Sequence, residues 1–310
     1  VGRIGAEPTI GPLPRARAAT TVVGMSTEHA TPRPAPSFHT DAISADRPSE
    51  AADDPMALLV EILDLQAALP SIRRMRRWGH DALAVRSGER ALDIGAGTGS
   101  EVLEFAERVG PDGEAVGVDP NPAMLAVAGA RAEAAGVRAR FVEGTAYRLP
   151  FPDDSFDAVR CERVYQHLDD PAAATAEIAR VLRPGGRVLL IDSDWHTAIA
   201  YPGDDDVVAR LSEAMLTTTP NPKSGRRLRG LLTAAGFTID DMGSEAVIWD
   251  PETIRPLFAQ MTERAYTDGV ITEQEREDLA AAMEDGIARG DYHLSVTMFA
   301  VLGHAEPHAE

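Results

Sequence analysis

A doubly wound α/β fold, a mostly parallel seven-stranded sheet with an antiparallel last strand, is what this 310-residue chain predicts. Three observations carry the prediction. Short apolar runs alternate with helical patterns from Ala91 to Asp192. The first run leads into Asp93-Ile94-Gly95-Ala96-Gly97-Thr98-Gly99, a carboxylate followed by three glycines at alternate positions. The second run also ends in a carboxylate, Asp119. Read physically, the first stretch is a buried strand, a turn that lets a ligand approach the backbone, and a helix N-terminus aimed at that ligand.

Taken in order, residues 1–54 are rich in Pro, Ala, Thr and Ser without a sustained period, which predicts a disordered tail. Met25 is a second candidate start, which would make residues 1–24 an extension. One domain is expected over 55–304, with a short tail at 305–310. Asp54-Pro55 is a helix start, an acid cap with proline in the first turn, and Leu58, Leu59, Ile62, Leu63 and Leu65 follow. Pro70 breaks that run, and Ser71 opens a second helix carrying Ile72, Met75, Trp78 and Leu83. This pair, within 55–86, fits a lid over the mouth of the sheet, with Arg73, Arg74 and Arg77 either facing a ligand's carboxylate or lying on the surface.

The first strand spans about Arg90–Ile94, and a helix follows from Glu101. The second strand is Ala115–Val118, ending at Asp119-Pro120-Asn121-Pro122, and its helix runs Ala123–Ala135. A third strand is Ala139–Val142 and a fourth Ser155–Arg160, with a helix at Pro171–Leu182. Arg183-Pro184-Gly185-Gly186 is a turn that launches the fifth strand, Arg187–Asp192. Asp204-Asp205-Asp206 reads as a solvated loop. A helix at Arg226–Ala235 stops at Gly236, and a strand runs from Ile239 to Trp249. Two helices in 251–288 form an insertion, a second lid element, before a last strand at Tyr292–Leu302. Such an insertion suits an antiparallel seventh strand beside the sixth.

Composition narrows the function. Net charge is −19, and no basic run is long enough to track nucleic-acid phosphates. Cys161 is the sole cysteine, which rules out a disulfide framework and a cysteine zinc site; no metal is expected. No apolar run approaches the ~18–20 residues of a membrane span. The chain reads as cytoplasmic, with a small-molecule partner and an oligomeric state the sequence does not specify.

The glycine turn has two candidate ligands. A dinucleotide site wants Gly-x-Gly-x-x-Gly, with pyrophosphate on the helix N-terminus. Here the spacing is Gly-x-Gly-x-Gly, and a carboxylate two residues upstream would repel pyrophosphate but attract an ammonium. Asp119 sits where an acid can accept both hydroxyls of a ribose. Further on stand Gly144-Thr145-Ala146, Leu149-Pro150-Phe151-Pro152-Asp153, Ser155-Phe156-Asp157 and Leu182-Arg183-Pro184-Gly185-Gly186. Together with the acid-ended strands these resemble, over residues 88–195, the consecutive motifs of the class I S-adenosylmethionine-dependent methyltransferases. Glu162-Arg163-Val164-Tyr165-Gln166-His167-Leu168, Asp192-Ser193-Asp194-Trp195 and Thr297-Met298-Phe299 resemble the menaquinone and ubiquinone biosynthesis branch, in its small-molecule bacterial form.

That resemblance implies S-adenosyl-L-methionine as cofactor. Asp93 and the backbone of Gly95 and Gly97 would hold its methionine part and Asp119 its ribose. Pro120 and Met124 would pack on the adenine, Thr145 and Ala146 would meet its amino group, and the backbone at Cys161 would border the methionine chain. Cys161 itself reads as a packing residue. Methyl transfer asks the protein to hold an acceptor in line and exclude water. A base helps where the acceptor is a hydroxyl or an acidic carbon. His167 and Asp192, near the mouth of the fourth and fifth strands, are the candidate catalytic groups, and Tyr165 either orients a substrate or packs. The expected activity is methylation of a small, largely apolar metabolite such as a quinone or polyketide. The alternative is a protein of this fold that binds the cofactor without transferring its methyl.

Overall fold

The computed structural model describes residues 55–217 and 219–307, so the 1–54 tail, with the Asp54 cap, and the end of the 305–310 tail lie outside the described residues. In chain order the elements are α1 (Pro55–Ala68), α2 (Pro70–Leu83), β1 (Arg90–Ile94), α3 (Ser100–Val109), β2 (Glu114–Asp119), α4 (Pro122–Ala135), β3 (Arg140–Glu143) and β4 (Phe156–Glu162). After a short 3-10 turn at Tyr165–His167 come α5 (Pro171–Val181), β5 (Leu182–Tyr201), α6 (Asp205–Met215), α7 (Ser224–Ala234), β6 (Phe237–Ile248), α8 (Pro251–Thr267), α9 (Glu273–Arg289) and β7 (His293–Ala305).

The seven strands form one sheet in the order β3-β2-β1-β4-β5-β7-β6. β1 to β5 pair in parallel, and β7 runs antiparallel between β5 and β6. The order reverses between β1 and β4, which fixes the switch point at the carboxyl ends of those strands.

Alternation along the strands builds two cores. Leu189 and Ile191 of β5 join Phe105 of α3, Ile72 and Met75 of α2, and Phe258 of α8 on one face. Val188 and Leu190 join Ile178 of α5 and Leu228 and Leu232 of α7 on the other. Each such side chain contributes about 1.5–3 kcal/mol on leaving water. Local chemistry sets the helix starts. Asn121 accepts from the amides of Ala123 (3.0 Å) and Met124 (3.4 Å) ahead of Pro122, and Asp250 accepts from Thr253 at 2.9 Å. Thr272 and Glu275 close a reciprocal capping box on α9.

Three expectations change. The fifth strand does not stop at Asp192. It runs on to Tyr201, held by β7 across an irregularity between Asp194 and Ile199, and its polar residues there hide the strand pattern. Asp204–Asp206 is not a free loop. Asp204 caps α6, accepting from the amides of Asp206 (3.1 Å) and Val207 (3.2 Å). The helix pair over the mouth separates into two roles. α2 lies on the sheet itself against β5, β6 and β7, because Gly79 has no side chain to strike Leu189. α1 stays near the carboxyl ends, tied by Asp64 to Arg131 of α4 and by Gln66 to Arg163 beyond β4.

Candidate functional site

The glycine turn sits at the carboxyl end of β1 and is sewn to β2. Gly95 N and Ala96 N donate to Val118 O at 2.7 and 3.0 Å, and Gly99 N donates to Ala96 O at 2.8 Å. Gly95, Gly97 and Gly99 all take positive φ, +73°, +50° and +84°. Their reasons differ. A Cβ on Gly95 would stand 2.3 Å from Val164 Cγ2, whereas one on Gly97 would meet nothing within 4 Å. Gly95 is therefore a packing requirement, and Gly97 borders open space.

Asp119 ends β2 beside that space. Its Oδ2 accepts from Gly97 N at 2.9 Å and its Oδ1 from Asn121 N at 2.8 Å. Burial pushes its pKa up, and the two amide bonds oppose the shift. Each oxygen keeps a further lone pair. A fixed carboxylate, an open cradle over Gly97 and the first turn of α3 make a chemically suitable seat for an adenosine with an amino-acid tail.

The other expected cofactor contacts surround this pair. Pro120 is exposed and Met124 buried on the first turn of α4. Gly144 N donates to Asp119 O at 3.3 Å, which brings half-buried Thr145 and buried Ala146 next to the end of β2. Cys161 pairs in register with Ile94 and is 1% exposed, and burial raises its thiol pKa well above the ordinary value. Its burial makes it a packing residue.

Asp93 is placed below the turn, in a charge cluster that the sequence reading passed over. Arg160 Nη1 donates to Asp93 Oδ1 at 3.0 Å, and Arg160 Nη2 reaches Glu101 at 3.1 Å and also Glu162. Arg76 of α2 bridges Glu162 at 2.8 Å and Glu101 at 3.0 Å, and His80 meets Glu101 at 2.8 Å. Burial pushes Asp93 up to about 6, with Arg160 pulling it back down. Burial also opposes ionisation of Glu101, but Arg160, His80 and Arg76 outweigh it and hold Glu101 at about 2. Arg76, Arg160 and Arg163 balance Asp93, Glu101 and Glu162. A readable signal exists: Arg160 interrupts an apolar strand, and Arg76 and His80 stand one turn apart on α2. By contrast Arg73, Arg74 and Arg77 are exposed, and Arg74 pairs with Glu245 of β6.

At the ends of β4 and β5 the polar groups hold the backbone. Asp192 is fully buried and accepts from Gln166 N at 3.0 Å and from Ser193 N at 2.7 Å, while the Ser224 hydroxyl donates to Ser193 O at 3.0 Å beside it. This differs from the expected acceptor-facing carboxylate. Burial pushes Asp192 up to about 7 against the two amide donors, one of which, Gln166 N, belongs to the turn that carries His167. Gln166 is further clamped by Trp195 Nε1 at 2.7 Å, and its carbonyl accepts from Asn221 N at 3.0 Å. Asp194 is also buried, paired with Arg226 of α7. Tyr165 packs, its hydroxyl 2.9 Å from Thr175. His167 is half-buried, and burial with the nearby Arg163 charge lowers it to about 4.

The methyltransferase domain profile matches residues 92–190. An uncharacterized methyltransferase of Schizosaccharomyces pombe is 33% identical over 206 residues, 63% of this chain and 72% of the relative. The demethylmenaquinone methyltransferase of Thermus thermophilus is 42% identical over 119 residues, 38% of this chain and 54% of the relative. The crystal structure of the Bacillus subtilis YcgJ protein superposes with a TM-score of 0.50 at 25% identity, covering 73% of this chain and 99% of that one. No helix among the described residues is long and apolar enough to cross a membrane. The chain belongs to the class I S-adenosylmethionine-dependent methyltransferases, and within them it resembles the menaquinone and ubiquinone methyltransferases.

Proposed function

We propose that this methyltransferase acts on a small, largely apolar metabolite of the quinone or polyketide kind. One observation carries the reading. α1 is mostly apolar around its circumference, with only Glu61, Asp64 and Gln66 polar, is half-buried, and is tied near the carboxyl ends of β2 and β4 by Asp64 and Gln66. An apolar helix left half-covered beside the cofactor seat favours an apolar acceptor. The stacked Trp195 and Trp249, 6.3 Å between ring centroids, extend the apolar lining past β5. The likeness to demethylmenaquinone methyltransferases points to the same class.

S-adenosylmethionine, when bound, supplies an activated methyl group on a sulfonium. The chain's part is then binding, alignment and proton management. Asp119 accepts the ribose hydroxyls, and the backbone of Gly95 and Gly97, with Asp93 beneath, shapes the seat of the methionine portion. Pro120, Met124, Thr145 and Ala146 surround the adenine, and the backbone at Cys161 closes the far side. His167 is unprotonated throughout the neutral range and accepts a proton from the acceptor. A base titrating near 4 is weak, so it suits an acceptor whose own O–H or C–H is acidic. Asp192 contributes by holding the turn that aims His167. α1, together with α8 and α9, excludes water from the acceptor.

Transfer of labelled methyl to a panel of hydroquinones, phenolic polyketides, amines and amino acids tests the reading. Turnover on the apolar hydroxyl compounds is expected, and His167→Gln should lower kcat by about 10²-fold. Transfer confined to the amines or amino acids would overturn it.

A further inference from the structure

Of the three arginines in the buried charge cluster, Arg163 holds the longest ion pair. It follows β4 directly and sits in the left-handed region, φ +57°, a costly conformation for an arginine. The backbone holds it there, with Arg163 N donating to Ile191 O of β5 at 2.8 Å. The turn parts Glu162, which belongs to the cluster beneath the glycine turn, from Arg163, which reaches Gln66 of α1. Backbone strain of this kind persists only where the surroundings fix it, and it gathers at sites that use it.

Formally the cluster's charges balance, but its contacts are uneven. Glu162 is already occupied. Arg76 donates to it through Nη2 at 2.8 Å and Nε at 3.1 Å, and Arg160 Nη2 pairs with it as well. Arg163 Nε stands 3.4 Å from the same carboxylate, and Arg163 Nη1 donates to the neutral amide oxygen of Gln66. Its Nη2 donates to no described residue, and the side chain keeps 21% exposure. Burial lowers the Arg163 pKa; Glu162 opposes the shift and Arg76 adds to it. A charge drawn out of water without a close partner is costly unless a ligand supplies the partner. A guanidinium in that position, planar and with donors to spare, is a seat for an anionic oxygen.

We infer that Arg163 is the acceptor-recognising residue of this methyltransferase, donating to the ionised oxygen of a phenolate or enolate acceptor. The inference rests on the apolar hydroxyl acceptor proposed above. Position favours the acceptor over the cofactor as the source of the anion. After burial, the Arg163 charge is what shifts His167, and it also acts on Asp192, both at the ends of β4 and β5. Asp93, beneath the glycine turn, pairs with Arg160 instead. Gln66 brings α1, the half-covered apolar helix, against the same guanidinium. The arrangement also explains how a weak base suffices. The charge that weakens His167 makes an acceptor hydroxyl held beside it more acidic. The acceptor's O–H bond breaks, its proton passes to His167, and the electron pair stays on the oxygen that Arg163 holds.

Calorimetric titration of the full chain, saturated with S-adenosylhomocysteine, tests this with two probes. One is hydroxynaphthoquinone, an enolate at neutral pH, and the other is naphthoquinone, the same rings without the charge. The wild type should bind the enolate at least about ten-fold tighter. Arg163→Met should lose that preference, bind naphthoquinone and S-adenosylhomocysteine as the wild type does, and keep its thermal melt. Arg163→Lys should restore part of the preference. If Arg163→Met does not fold, Arg163→Gln, which keeps a donor without the charge, reads the same ratio. Equal binding of the two probes by the wild type, or a preference that survives in Arg163→Met, overturns the inference. So does an Arg163→Met chain that binds S-adenosylhomocysteine about ten-fold more weakly, because the guanidinium then holds the cofactor's carboxylate. A wild type that binds neither quinone overturns the apolar-acceptor reading and this inference with it, whereas equal binding of both leaves that reading standing.

Discussion

Gly95 and Gly97 look alike in the sequence and do different work. Both need positive φ, but an added methyl on Gly95 collides with Val164, and one on Gly97 enters open space. Gly95→Ala should destabilise the fold by about 3 kcal/mol, backbone strain plus a clash with a stiff β-branched side chain. Gly97→Ala should cost about 1 kcal/mol of stability and yet weaken binding of S-adenosylhomocysteine at least about ten-fold. Thermal melts and calorimetry on the two variants separate these effects. His167 carries a pH signature. The unfolded chain takes up this proton at about 6.5 and the folded chain at about 4. A neutral His167 therefore contributes stability that is present above about 6.5 and is lost as pH falls towards 4. His167→Gln should close on the wild type in denaturant stability across that window. Asp93 and Asp192 run the other way, their buried ionisation costing stability at higher pH, but they are common to both proteins and cancel in the difference.

Among the elements, the charge cluster joins α2, α3, β1 and β4 beneath the turn. Arg160 faces three carboxylates at once and is 2% exposed. Its removal leaves buried negative charge without compensation, and Arg160→Met should cost about 3–5 kcal/mol in denaturant unfolding. Adding Glu162→Gln should recover part of that loss, because the two changes are not independent. A loss under 1 kcal/mol, or strict additivity, would show that the cluster is solvated and does not clamp the elements. This is also where the sequence was least legible. β1 and β2 announce themselves by apolar runs ending in acids, β4 by its apolar run, and the turn by its glycine spacing. The pairing of Asp93 with Arg160 depends on two parallel strands meeting in register, and nothing local encodes that. Asp192 misled for a related reason. Its lone pairs are taken up by amide donors, one of them from Gln166, more than twenty residues away in sequence. The continuation of β5 was hidden because only β7, nearly a hundred residues later, supplies its partner.

At the scale of the whole molecule, the sheet order places the reversal between β1 and β4, and the glycine turn, Asp119 and the turn carrying His167 all follow the carboxyl ends of their strands. α8 and α9, expected as a lid, bury Ile254, Phe258, Leu279 and Met283 against the sheet. The central claim is that the carboxylate of Asp119, locked by Gly97 and Asn121, holds the cofactor's ribose beside the open glycine turn. Calorimetric titration of S-adenosylhomocysteine into wild type and Asp119→Ala tests it most directly. The account predicts saturable one-site binding to the wild type and an affinity at least about ten-fold weaker in the variant, at an unchanged melting temperature for the free protein. Equal binding by the two proteins, or none by the wild type, would contradict it.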